Sequence, residues 1–276
     1  MKKAVQYMIW NLKTSFTDKR IFAGYLIGIL SIIKQSINFR MYTGSHTINV
    51  SECFIVSSRQ TGLYIIGAII ILSDAPFINS GSFVMIHRIK RNAWYKASWM
   101  YMFTHMLIYY GTLVIASILP FITKAYPENE WSLSVLWMKG GMTEKMNKYN
   151  IAPVSKYIFE FKPLATLIIT ITLLILYSMI YTSLMFSLNL FFDKKMAGTF
   201  AAGGVVILSE FIHKQMVYAP MWVKKLSLYR NYLFTAFYNP SNMTVSFSLC
   251  YMGLIVFIAY VIGEIIIPRS EFILTY

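Results

Sequence analysis

Six apolar stretches constrain this chain more than anything else in its sequence: Ile21–Asn38, Gln60–Ile78, Ala97–Ile122, Leu164–Phe192, Ala197–Ile212 and Phe247–Ile267. A helix needs about 20 apolar residues to cross the hydrocarbon core of a bilayer, within a range of about 17 to 25. The first and fifth stretches are at the short end of that range. Charged residues make up 13% of the chain and hydrophobic ones 57%, against about 25% charged in soluble domains. A soluble globular fold is therefore excluded. A closed barrel would show alternation in segments of about 10 residues, whereas runs such as LATLIITITLLILYSMIYTSLMFSLNLFF are continuous. The expectation is an all-α integral membrane protein with six transmembrane helices, forming one transmembrane domain over residues 1–276.

The first 20 residues lack the continuous apolar core and cleavage site of a secretory signal. Val5, Met8, Ile9, Leu12 and Phe16 recur at helical spacing, with Lys2, Lys3, Gln6 and Lys13 mostly elsewhere on the wheel. This pattern predicts an amphipathic helix lying in the membrane interface, with Tyr7 and Trp10 at a suitable depth. Six spans put both termini on one side. Cytoplasmic termini gather Lys2, Lys3, Lys13, Lys19, Arg20, Arg88, Lys90, Arg91, Lys96, Lys194, Lys195 and Arg269 into short inner segments. An equal number of basic residues is spread over much longer outer loops, so basic density favours that orientation. Lys224, Lys225 and Arg230 run against the rule. The longest outer loop, Thr123–Pro163, carries Pro and Gly breakers with Trp131 and Trp137, which predicts short interfacial helices.

The net charge of +14 is dispersed rather than gathered on one domain. It fits anionic lipid headgroups better than nucleic acid. Two cysteines, Cys53 and Cys250, form no metal-ligand spacing and no disulfide framework. The chain has no phosphate-binding loop, no HExxH and no GxSxG, so no cofactor and no enzymatic chemistry of its own are expected.

Ser73–Trp99 is the most suggestive segment. The chain leaves the second stretch at Asp74-Ala75-Pro76, where proline ends or kinks a helix. Phe83, Ile86, Ile89 and Lys90 then form a short amphipathic turn, and His87, Arg88, Lys90 and Arg91 a basic cluster ending at Asn92. A positive-inside anchor and a docking element for a cytoplasmic partner both fit it. Ionisable groups at membrane depth are functional candidates. Asp74 is placed to pair with Arg88 or Arg91, Glu210 with Lys214 four residues on, and Glu264 with Arg269 or a basic residue of the first inner loop. Lys34 reaches outward along the surface, and His105 reads as a packed residue. Phe211–Asn242, interrupted by Pro220 and Pro240, is too polar to span and too apolar for an exposed loop. Two short helices dipping into the outer leaflet are expected there.

In order of elements the chain resembles the membrane (permease) subunits of bacterial type-2 ABC exporters. The likeness rests on the N-terminal interfacial helix at Lys3–Asp18, the basic-apolar loop at Phe83–Trp94, and the broken outer helical hairpin before the last span, near Ala219–Trp222 and Tyr238–Pro240. The run SDAPFI followed by HRIKRNAWY is similar to a Firmicutes subgroup. The resemblance implies that Phe83–Asn92 is the helix that couples to separate ABC ATPase subunits, which hold the ATP and Mg. It implies a second permease subunit, as homodimer or heterodimer, and a multi-pass place in the bacterial cytoplasmic membrane. The implied function is outward movement of an amphipathic or apolar peptide, drug or lipid. A membrane binding or immunity protein that sequesters a peptide without an ATPase is the alternative. The short fifth stretch with Gly203-Gly204, and the long loop between the third and fourth, depart from the family pattern.

Overall fold

The computed structural model describes residues 2–59, 62–75, 91–140, 143–192, 197–215 and 219–266. The described residues are mostly helical: α1 (Lys2–Ser15), α2 (Lys19–Thr43), α3 (Val50–Ser57), α4 (Leu63–Ile71), α5 (Arg91–Ile118), α6 (Leu133–Leu136), α7 (Glu144–Lys148), α8 (Pro163–Phe192), α9 (Ala197–Gln215), α10 (Met221–Leu226), α11 (Leu228–Tyr232), α12 (Phe234–Phe237) and α13 (Val245–Ile266). Lys19–Thr43, Arg91–Phe121, Pro163–Asn189 and Val245–Ile265 are long and apolar enough to cross a membrane, and Gly198–His213 is a shorter apolar helix.

Local chemistry sets several of these boundaries. Asp18 caps α2 by accepting from the Arg20 N–H, so the helix starts before the apolar stretch. It ends at Gly44, whose φ of +63° suits a residue without Cβ. Pro163 occupies the first turn of α8, where its missing N–H leaves no bond unmade. Within α8, Thr170, Thr182, Ser183 and Ser187 return their hydroxyls to the carbonyl four residues back, at 2.5 to 2.9 Å. That keeps polar side chains satisfied inside an otherwise apolar helix.

The second apolar stretch does not form one helix. Helix covers only Leu63–Ile71, and α3 precedes it within what the sequence assigns to a loop. Asn49 and Glu52 make a capping box: the Asn49 side chain accepts from the Ser51 N–H at 2.8 Å, and Glu52 Oε2 accepts from the Asn49 N–H at 3.2 Å. Ser58 and Gly62 are poor helix formers at the break. The Ser58 carbonyl at the end of α3 accepts from Tyr64 Oη at 2.9 Å, and within α4 the Tyr64 carbonyl also accepts from Tyr109 Oη at 2.6 Å.

α3 and α4 run antiparallel to α2, whose Ser36 Oγ lies 2.9 Å from Ser57 Oγ. The closest approach is between Gly24, Gly28 and Gly67, with Tyr109 laid into the notch. α1 packs on α5, and α8 packs on α9 and α13. The bundle has two unlike ends. At the base, α2 and α5 begin and α4 and α8 end. At the opposite end a cap is built from residues 123–162 and 219–243. There β1 (Ile48–Asn49) pairs in parallel with β2 (Ala125–Tyr126), a contact absent from the sequence reading. The segment after α9 folds as three short helices, α10 to α12, rather than two. Ser155 fastens the two halves of the cap, with its N–H on the Thr235 carbonyl at 2.9 Å and Oγ on the Tyr238 carbonyl at 2.6 Å.

A Cβ at position 67 would lie 2.5 Å from Tyr109 Oη and 2.7 Å from the Gly24 carbonyl, whereas one at Gly111 meets nothing within 4 Å. Gly67→Ala is expected to lower stability by about 1–3 kcal/mol through overpacking, and Gly111→Ala to leave it unchanged or raise it. Thermal midpoints of the two purified variants in one detergent check this, and equal midpoints would refute the tight seam.

Candidate functional site

The described flanks of the segment singled out in the sequence, Ser73–Ala75 and the start of α5 at Arg91, lie at the base of the bundle. Phe83, Ile86, His87, Arg88, Ile89 and Lys90 lie outside the described residues, while Arg91 and Asn92 open α5. The framework around that segment is well defined. α4 runs out at Ile71 beside Gly24 of α2, and the turn that follows places Asp74 against the start of α2. Asp74 is held by the Arg20 guanidinium; of the two partners its sequence neighbourhood suggests, Arg88 lies outside the described residues and Arg91 forms no ion pair with it. The same guanidinium donates to Asp18 at 2.6 and 3.3 Å. This hydrogen bonding holds the Asp18 carboxyl below its ordinary value. One arginine thus ties the α1–α2 corner to the exit of α4. Its side chain is 44% exposed, and solvent screening keeps each ion pair weak.

Asn189, near the end of α8, was not marked by any sequence pattern and is the buried hub of this corner. Its Oδ1 accepts from the Gly198 N–H at 2.7 Å and its Nδ2 donates to the Ala75 carbonyl at 2.6 Å. Thr199 Oγ1 adds a bond to the Ser73 carbonyl at 3.1 Å. The exit of α4, the end of α8 and the start of α9 are therefore fastened by side-chain bonds, and displacing one displaces the others. Glu264 of α13 pairs with Lys96 of α5 at 3.0 Å, the inner-loop option among its expected partners. Tyr95 Oη donates to the Tyr260 carbonyl one turn away at 2.9 Å.

The amphipathic N-terminal segment forms α1, and its apolar side is divided between protein and surface. Ala4, Tyr7, Asn11 and Ser15 are buried and Val5, Met8 and Leu12 half-buried, while Ile9 and Phe16 are exposed. Met8 accepts from Thr104 Oγ1 at 3.7 Å and Phe16 stacks on His105 at 5.6 Å. A helix with a protein neighbour on one side has a second apolar side to dispose of, and periodicity does not say which of the two faces the protein.

Glu210 of α9 sits against Gly62 at the start of α4. Its expected i+4 partner, the Lys214 side chain, lies outside the described residues. Two further ionisable groups, both missed in the sequence, are in the upper half of the bundle. Arg59 lies at the break between α3 and α4. Glu52 is buried under the cap, where Oε1 accepts from the Ser132 N–H at 2.6 Å. The N-x-x-E capping signal at Asn49 pointed to Glu52 as a helix start. Cys53 is buried, Cys250 exposed, and both are free thiols. Among the described residues no group of three His, Cys, Asp or Glu is placed to hold a metal ion.

No family model, curated protein or solved structure matches this chain.

Proposed function

We propose that this chain is the membrane-spanning permease subunit of a bacterial ABC exporter of the type-2 class, moving an amphipathic or apolar cargo outward. In this reading α2, the α3–α4 pair, α5, α8, α9 and α13 supply six crossings. The base with both ends of the chain faces the cytoplasm and the cap faces outward. α1 lies at the inner interface, and α10 to α12 are the broken hairpin before the last crossing. The chain itself is not an enzyme. Two separate ATPase subunits supply ATP hydrolysis, and a second permease subunit completes the pathway.

The observation that carries the reading is the framing of residues 76–90 at the base. The chain enters this segment from a turn clamped by Arg20 and Asn189 and leaves it directly into α5. A push on such a segment would pass through Asp74 to α2, through Ala75 to α8 and α9, and through Arg91 to α5. That is the mechanical requirement for coupling an ATPase below the membrane to movements of several helices above it. An anchor loop needs charge at the interface but no fastening of this kind.

Co-purification in mild detergent with the ATPase encoded nearest to this chain, followed by ATP hydrolysis, tests the proposal. A stable complex with vanadate-sensitive turnover is the expected result. A chain that pairs with no ATPase would leave the stand-alone binding protein as the reading. In the complex, the double substitution Arg88→Glu and Arg91→Glu is expected to abolish cargo-stimulated ATP hydrolysis at an unchanged thermal midpoint. Intact stimulation would show that residues 83–92 are not the docking element.

A further inference from the structure

Arg59 is a cation in an unusual place. Its neighbour Ser57 is level with Ser36 of α2, inside the apolar stretch Ile21–Asn38, and the chain at Arg59 is running toward the base. A guanidinium at that depth is expensive and requires compensation. Little is present. Nη1 donates to the Ala152 carbonyl at 3.2 Å, and Nε is buried with no hydrogen-bond partner among the described residues. The ion pairs between described residues, Arg20 with Asp18 and Asp74 and Lys96 with Glu264, are all at the base. The carboxylate of the neighbouring helix, Glu210, is directed to Gly62 at the N-terminus of α4 and forms no ion pair with Arg59.

The surroundings are rich in donors. The Tyr229 phenol is close enough to Arg59 to interact with it electrostatically. Tyr229 stacks on His213 at 4.6 Å, and His213 accepts from Arg230 Nε at 3.4 Å. Arg230 lies 4.9 Å above the Phe237 ring. Two guanidiniums and a phenol therefore gather under the cap, with the Glu210 carboxylate nearby at the start of α4. The turn of α9 that brings Glu210 to this place turns Ile207, Leu208 and Phe211 to the outside of the bundle. The cluster is thus one helix away from an apolar surface.

We propose that Arg59 receives an oxyanion, a phosphate or carboxylate group, carried by an amphipathic molecule whose apolar part remains on the lipid side of α9. A guanidinium offers five N–H donors in a planar fork suited to such a group, and here Nε has no hydrogen-bond partner among the described residues. Binding at Arg59 rests on this geometry alone. Identifying the amphiphile with the exporter's cargo rests on the function proposed above.

The test uses the full chain, purified in a neutral detergent without any ATPase, and measures thermal stabilisation by phosphatidylglycerol, phosphatidylcholine and inorganic phosphate. Phosphatidylglycerol should stabilise the wild type and the exposed-cation control Lys139→Gln alike, while Arg59→Gln should bind it roughly tenfold to a hundredfold more weakly, as loss of a charge-assisted hydrogen bond implies. Phosphatidylcholine and inorganic phosphate should do little. An undiminished response in Arg59→Gln would overturn the site in favour of diffuse attraction to a chain of net charge +14. Equal stabilisation by inorganic phosphate would overturn the amphiphile. If Arg59→Gln does not fold, Arg59→Lys carries the test: weaker binding supports the fork, and unchanged binding overturns it. Adding the ATPase then separates the two readings, because binding without stimulated hydrolysis would leave the site standing and remove the cargo.

Discussion

The seam where Gly24 and Gly28 of α2 meet Gly67 of α4 brings two backbones together with no side chain between them. In lipid the hydrophobic effect does little to hold one helix to another, so close van der Waals packing at small residues has to. Tyr109 fills the notch that the glycines leave, and its hydroxyl reaches past them to the Tyr64 carbonyl. That single phenol joins α5 to the seam and to the backbone of α4. Positions of α3, of Ser57 against Ser36, and of Arg59 all follow from where the seam holds α4. The rest of the bundle is assembled around this contact, with α8 behind it and α1 on the far side of α5.

Interrupting a helix within an apolar stretch exposes carbonyls and N–H groups that must find partners inside the protein. At the end of α3 a phenol does so, with Tyr64 Oη on the Ser58 carbonyl. Similar economy appears elsewhere. Tyr110 Oη meets Ser178 Oγ at 2.6 Å across α5 and α8, and Tyr181 Oη donates to Tyr177 Oη at 2.9 Å. In these tyrosines the ring fills apolar space while the hydroxyl satisfies a polar atom.

The division between base and cap was partly legible. Hydrophobic length located the helices, and Pro163, Asp18 and the Asn49–Glu52 pair carried local signals of where three of them begin. The capping box at Asn49 was present in the sequence but was overridden by the hydropathy pattern, which begins the second stretch at Gln60; the break therefore went unseen. Asp74 was marked as an ionisable group near a basic cluster, yet its partner is Arg20, 54 positions away in the chain. Asn189 carried no signal at all, because one asparagine near the end of an apolar helix is unremarkable until its two neighbours are known.

What the sequence determined by itself was the solvent the protein is built for and the secondary structure that follows. Long apolar runs with few charges must close their backbone hydrogen bonds internally, and helices do that with neighbours four residues apart. The amphipathic start, the breakers in the loops and the uneven spread of basic residues belong to the same local information. Only the tertiary structure decided which helix lies beside which. It alone determined that α1 turns Tyr7 rather than Ile9 to the protein, that Arg20 and not Arg91 holds Asp74, and that Arg59 has its Nε buried without a hydrogen-bond partner among the described residues. The physical reason is one of range: periodicity and capping act over about four residues, whereas the partner of a buried charge is set by packing between segments distant in the chain.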